Sequence, residues 1–415
     1  MSGSDVEVVV IGGGAAGIAA ARRLHEAGVD TLLVEARDRL GGRGYTIADG
    51  RGHAIDLGCG WLHSADHNPF VAIAEAQGAV IDRTPPPWSR PMPQPGFNLA
   101  DQEAFGEAFE AFDAGIATIG ETGPDRPAAA FLERGGRWNA LLDAVSGYYS
   151  GAPLARVSAR DLDRYVDEGV DWRIPAGYGA VIAAHAASLR VALGRAVETI
   201  DHSGRRLTIE TADGPILADR VIVTLPASLI AEEAVRFRPA LPDKVEAARG
   251  LPLGLADKLF LTLEAPQAFA PDSRLIGRPD RTETASYHMR PFGRPQIEVY
   301  FGGDLADALE DEGEAGFVDF ARAELVGLFG ADFARHIAPL AHHGWRRDPF
   351  ARGAYSYALP GRADDRARLA APVDGRLFFA GEACSRHDFS TAHGALRTGL
   401  AAAEALLAMR AGAGA

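Results

Sequence analysis

Gly12, Gly14 and Gly17 form a G-x-G-x-x-G pattern in VVVIGGGAAGIAAARRL. Each glycine meets a separate demand. Gly12 permits a tight turn, Gly14 lets backbone approach a pyrophosphate, and Gly17 lets a helix pack close on a strand. The N-terminus of that helix offers free N–H groups and a positive dipole end to phosphates. Glu35 closes the next apolar run, TLLVE, 18 residues after Gly17, where a carboxylate accepts hydrogen bonds from a ribose diol. Gly41, Gly42 and Arg43 follow in ARDRLGGRGYT and suggest a second backbone approach to the same pyrophosphate. Far downstream, WRRDPFARGAYSYALPG holds two tyrosines around one serine. Alternation of this kind reads as a strand with Tyr355 and Tyr357 on one face. It leaves open whether that face is core or meets a ligand.

These residues need a scaffold. VEVVVI at 6–11 reads as a buried parallel strand, followed by a helix to about Ala27 with Gly28 at its end, then TLLVE as a second strand. LTIETADGPILADRVIVTLP, 207–226, reads as a hairpin turning at Asp213-Gly214, then a buried strand. RLFFAGE at 376–382 is a last strand, and residues 390–410 a last helix. PPPWSRPMPQPG, 85–96, reads as a break between domains. Residues 105–119 and 304–330 carry helical patterns. The expected fold class is α/β, with a nucleotide-binding domain from residues 1–84, 175–255 and 374–415. A substrate-binding domain is expected from 85–174 and 256–373.

Bulk composition narrows the function. The chain has 415 residues, 47% hydrophobic and 24% charged, which suits a globular protein with a large core. Forty-two basic against 56 acidic residues give a net charge of -14, which argues against nucleic-acid binding and tolerates a cationic substrate. Two cysteines, Cys59 and Cys384, provide no disulfide framework and no zinc site, as expected of a cytoplasmic protein. No metal is expected, and no signal peptide or membrane anchor is read at either end.

The segments VVVIGGGAAGIAAARRL, LLVEARDRLGGR, IDLGCGWLH, ADRVIVTLP, LGLADKLFL, WRRDPFARGAYSY and LFFAGEACSRHDFSTAHGALRTGLAAA occur in the order seen in flavin-containing amine oxidases. The chain resembles that family, which includes monoamine oxidases, polyamine oxidases and lysine-specific histone demethylases. It is most similar in motif to the polyamine-oxidase-like members. The resemblance implies a glutathione-reductase-type FAD domain, discontinuous in sequence, with an inserted α+β substrate domain. It implies that Tyr355 stands beside the flavin in an aromatic cage, with Trp345 near it and Lys258 holding a water near flavin N5. Without it, Lys258 reads as a surface lysine. His63 matches a substrate-side histidine and is expected as a neutral imidazole near the amine. Glu382, with Val197, joins Gly12, Gly14, Gly17, Glu35, Gly42 and Arg43 in the cofactor set. The helix after Thr391 is expected to aim its N-terminus at the flavin N1/C2=O edge, where charge builds on reduction.

Two departures from monoamine oxidases matter. Ala354 replaces a cysteine that bonds the flavin, so FAD is expected to be non-covalent. Thr391 replaces a second cage tyrosine and opens one wall to bulkier or secondary amines. The expected reaction is oxidation of an amine, polyamine-like substrates leading, with O2 reduced to hydrogen peroxide. The expected partners are a small-molecule amine and O2, with no nucleic acid or membrane, and a homodimer is left open. Two alternatives stay beside it. One is another flavin oxidoreductase of this fold, either a desaturase or an amino-acid oxidase with Arg290 or Arg173 holding the carboxylate. The other is a flavoprotein serving mainly as a partner-binding module.

Overall fold

A computed structural model describes residues 4–412. The chain builds two large sheets. The first has eight strands, running Arg236–Arg238, Val197–Asp201, Leu207–Thr211, Ile216–Val223, Ser4–Ile11, Thr31–Val34 and Val191–Ala192, with Leu377–Phe379 also paired to Ile216–Val223. The first strand is central and parallel to both neighbours. A strand covered on both faces reads as a continuous apolar run, and VEVVVI is one. Val8 and Val10 enter a core shared with the helices Ala15–Glu26 and Ala392–Gly412, while Val9 and Ile11 enter the core on the other face. The hairpin forms as expected, with Gly214 at φ +103° in its turn.

The second sheet is antiparallel, in the order Ser273–Ile276, Ser286–Met289, Gln296–Gly302, Ala256–Leu263, Ile337–His342. Its strands alternate. Leu259, Leu261, Tyr287, Ile297, Val299 and Phe301 bury one face against the helices Gly303–Glu312 and Glu314–Phe329 through Leu309, Phe317, Ala321 and Leu325. Those two helices replace the single helical stretch the pattern suggests, because Gly313 at φ +76° ends one and begins the other. The opposite face carries Lys258, Arg274, Ser286, His288, Glu298 and Tyr300, and all six border one cavity between the sheets. Among the described residues no helix is long and apolar enough to cross a membrane.

Candidate active site

A connected cavity of about 590 Å³ runs from the glycine loop to the second sheet. That is within the usual range for a ligand site. Its first arm is lined by Gly12, Gly14, Glu35, Gly42, Arg43 and Val197. Gly17 is not part of the lining. A Cβ there would stand 1.9 Å from the Gly12 carbonyl oxygen, so this glycine serves the close packing of helix on loop. Gly42 has φ +58°, and a Cβ on it would sit 3.1 Å from the Cα of Gly14. The two glycine segments thus meet face to face and leave a cradle of bare backbone. The helix Ala15–Glu26 begins at its edge.

Glu35 is buried, and its carboxylate accepts from the Gly13 N–H at 2.6 Å and the Arg37 N–H at 2.8 Å. It braces the loop with these bonds, and each oxygen keeps a further lone pair for a ribose. Glu382 lines the cavity as well and has protein partners of its own. Its carboxylate accepts from Arg43 Nη1 at 2.9 Å, Ser356 Oγ at 2.6 Å and the Ser390 N–H at 3.0 Å. Burial alone would raise its pKa, but Arg43 and then Ser356 outweigh burial and hold the group below its ordinary value. Glu382 therefore fixes Arg43 beside the cradle. A cradle of glycine backbone, a helix start, a buried acid and a fixed arginine suit a dinucleotide such as FAD.

The second arm is floored by the antiparallel sheet. Directly paired residues lie on the same face. Lys258 pairs with Tyr300 and Tyr300 with Ser286, giving one row across three strands. Phe260 pairs with Glu298, Glu298 with His288 and His288 with Arg274, giving a second row across four. Lys258 is 7% exposed, which excludes a surface lysine. Its ammonium donates to Glu298 Oε1 at 2.8 Å and to the Asp56 carbonyl at 3.2 Å. Burial lowers the Lys258 pKa, but the Glu298 carboxylate overrides burial and raises it. Glu298 is held at about 2: burial pushes it up, and Lys258 with His288 pulls it down further.

Tyr355 borders the same arm. Its hydroxyl donates to the Tyr148 carbonyl and accepts from the Tyr300 hydroxyl at 3.0 Å. Burial, then the neighbouring Tyr300, keeps this phenol well above its ordinary pKa, so it stays neutral. Trp345 is buried, with its indole N–H on the Leu57 carbonyl at 3.1 Å. Thr391 lines the cavity, but its hydroxyl is committed: it donates to the Asp388 carbonyl and accepts from the Gly394 N–H at 3.0 Å. It caps the helix Ala392–Gly412, whose first residue also borders the cavity. His63 borders the cavity with Nδ1 at 2.6 Å from Asp171 Oδ1. Burial lowers its pKa, yet the Asp171 bond and charge raise it overall. The expected neutral imidazole is thus biased toward its protonated form.

Several expectations change. GAYSY is not a strand. Only Ser356 forms a bridge, to Leu253, while its backbone N–H and hydroxyl turn to Glu382. Tyr357 leaves the cavity and packs with Ala152 and Val157. Arg173 and Arg290 lie off the cavity. Arg173 is held by Asp82 at 2.6 Å and Asp272 at 2.7 Å, and Arg290 bonds the carbonyls of Phe269 and Gly293. The proline-rich stretch is more than a break, since its Trp88 packs on Trp61 at 4.4 Å and both border the cavity. Burial pushes the thiols of Cys59 and Cys384 up to about 12, which makes both unreactive. Sequence reading missed Trp61, Trp88, Tyr148, Tyr149, Arg274, Ser286, His288, Glu298 and Tyr300 as cavity residues. The alternation of QIEVYFG was the one available signal, since it sets Glu298 and Tyr300 on one face.

Comparison with known proteins agrees with this geometry. The sequence profile of the family described as flavin containing amine oxidoreductase matches residues 15–118 and 117–407. Polyamine oxidase 3 of Oryza sativa subsp. japonica is 30% identical over 95% of this chain and 88% of its own length. Lysine-specific histone demethylase 2 of Homo sapiens is 26% identical over 97% of this chain and 53% of its own. A solved structure of putrescine oxidase bound to putrescine superposes with a TM-score of 0.78 at 17% identity, covering 98% of this chain and 100% of that one. The fold is therefore that of an FAD-binding α/β domain joined to a substrate domain. With its glycine cradle and its Lys258–Tyr300–Tyr355 wall in one cavity, this chain belongs to the flavin containing amine oxidoreductases, and its cofactor is FAD.

Proposed function

We propose that the chain oxidises a primary or secondary amine to an imine, with O2 as the electron acceptor and hydrogen peroxide as its product. The observation that carries this reading is the single cavity in which the dinucleotide cradle opens onto Lys258, Tyr300 and Tyr355. Gly14, Gly42 and Arg43 would hold the FAD pyrophosphate, Glu35 its ribose, and the capped helix after Thr391 the pyrimidine edge of the ring. When bound, FAD would supply the two-electron acceptor for the amine Cα–H and the route of those electrons to O2. The protein's residues do the rest. Tyr355 and Tyr300, locked to each other and to the Tyr148 carbonyl, present fixed aromatic surface that orients the amine. Lys258, kept charged by Glu298, holds a water by its remaining N–H. Trp61, Trp88 and Trp345 exclude bulk solvent. Water released into the site hydrolyses the imine to a carbonyl compound and a shorter amine or ammonia.

The relatives named polyamine oxidases put polyamines first in the substrate panel. The test is anaerobic mixing of the yellow holoprotein with polyamines, secondary amines, simple alkylamines and α-amino acids, following loss of oxidised-flavin absorbance. Bleaching by amines supports the reading. Bleaching by α-amino acids alone, or by nothing, removes it.

A further inference from the structure

Arg274 is the one arginine of the second-sheet arm that borders the cavity. It sits on the edge strand Ser273–Ile276, three strands from Lys258. At about 4.8 Å per strand this puts the two backbones ~14 Å apart across the chamber floor. The Nε of Arg274 donates to Ser286 Oγ at 3.0 Å. Among the described residues, Nη1 and Nη2 donate to no protein acceptor, and neither is sealed into the core. No carboxylate pairs with this guanidinium. Two acids on these strands are taken: Glu298, two places along the row, by Lys258 at 2.8 Å, and Asp272, just before the edge strand, by Arg173 at 2.7 Å. Its other neighbours are the phenols of Tyr148 and Tyr149. Burial works against the charge, and the two phenols offset it only in part.

Arg274 borders the chamber with both Nη atoms free of protein acceptors, and a guanidinium fork meets a planar carboxylate through two parallel hydrogen bonds. Tyr149 is 60% exposed and Trp88 38% exposed, both bordering the cavity, so apolar surface lies along the way. Lys258 and Glu298 cancel each other, and this arm then carries one net positive charge.

We infer that Arg274 selects an amine bearing a carboxylate several bonds from the reacting nitrogen, with Arg274 binding the carboxylate while the nitrogen lies between Tyr300 and Tyr355. The inference rests on the amine-oxidation reading and specifies its substrate class. A diamine of the same length brings a second cation to Arg274 and is repelled. An α-amino acid has its carboxylate too near the nitrogen to span the chamber.

The test has a kinetic arm and a binding arm, both on the holoprotein. In the first, kcat/KM is measured for ω-aminocarboxylates of six to eight carbons and for alkylamines and diamines of matched length. In the second, octanoate and octanol binding to oxidised enzyme is read by calorimetry. Wild type is expected to favour the aminocarboxylate over the alkylamine by tenfold or more. Arg274→Met should lower that ratio by about thirtyfold, the effect of deleting a charge-assisted hydrogen-bonding pair. The ratio is internal, so a variant that merely loses flavin or stability leaves it unmoved. Octanoate should bind the wild type and lose its advantage over octanol in Arg274→Met, with partial recovery in Arg274→Lys. Equal rates for aminocarboxylate and alkylamine, preference for the diamine, or octanoate binding indifferent to Arg274→Met would each overturn the inference. If no amine bleaches the flavin while octanoate binding still depends on Arg274, the amine-oxidation reading fails and the carboxylate site stands.

Discussion

Replacing Glu298 by glutamine should destabilise the protein sharply and in a pH-dependent way. The Lys258 and Glu298 side chains are 8% and 16% exposed, and their charged atoms are 2.8 Å apart. At an effective dielectric of about 20, unit charges at that separation attract by roughly 6 kcal/mol, part of which repays the loss of hydration. Glutamine keeps an acceptor for Lys258 but removes the charge, leaving a buried ammonium uncompensated at a cost of about 3–5 kcal/mol. The sign with pH follows from the two shifts. Lys258 has its folded pKa raised, so its share is full below about 10.4, the unfolded value, and disappears as pH rises through the folded value. Glu298 is depressed to about 2, so its share is full above about 4.3 and is lost as pH falls toward 2. Urea unfolding followed by tryptophan fluorescence should show a gap between wild type and Glu298→Gln that is widest near neutral pH, narrows in acid as Glu298 protonates, and narrows in alkali as the uncompensated Lys258 of the variant loses its proton. The double variant Lys258→Met/Glu298→Leu, which removes both charges, should regain at least half of the loss. A gap below about 1 kcal/mol at neutral pH, or no regain in the double variant, would refute the argument that this wall depends on a desolvated ion pair.

Other perturbations address single elements. In Gly17→Ala the new Cβ meets the Gly12 carbonyl oxygen at 1.9 Å, so the protein should purify with less than a tenth of its flavin absorbance, and a fully yellow preparation would contradict the packing role. Tyr355→Phe keeps the ring and loses two hydrogen bonds, so flavin reduction in stopped flow should slow about tenfold, whereas Tyr355→Ala should slow it by a hundredfold or more; equal losses would mean the hydroxyl and not the ring acts. Ala354 offers no thiol to the cofactor, so acid precipitation should release all the flavin into the supernatant, and colour left in the pellet would show a covalent link elsewhere.

The legible and illegible parts of this chain differ in the distance over which their causes act. The glycine loop could be read because each requirement is met within some thirty residues. Gly17 must clear the Gly12 carbonyl, which no residue with a Cβ does, and Gly42 pairs a positive φ with a tight approach to Gly14 that a Cβ would strain. The chamber floor is different. Arg274, His288 and Glu298 become one row only through the register of three antiparallel strands, and register is not printed in any of them alone. Alternation in QIEVYFG separates Glu298 and Tyr300 from Ile297, Val299 and Phe301, but it cannot say that the polar side faces a cavity instead of water. GAYSY shows the converse error. Its alternation does not carry over to the fold, since Tyr355 borders the cavity and Tyr357 does not, and what holds the segment is a buried carboxylate in another motif. Glu382 takes both the N–H and the hydroxyl of Ser356, and Arg366, itself fully buried, donates to that hydroxyl at 2.9 Å while clamping Asp161. A backbone satisfied by side chains has no need of a ladder, so the residues look like a strand and are not one. The same logic makes Arg274 informative. On the chamber floor Lys258 and Glu298 balance each other, and a sequence shows charges but not which of them are spoken for. An unbalanced charge becomes visible only after the balanced ones are paired off, and in this chamber what remains points at the substrate.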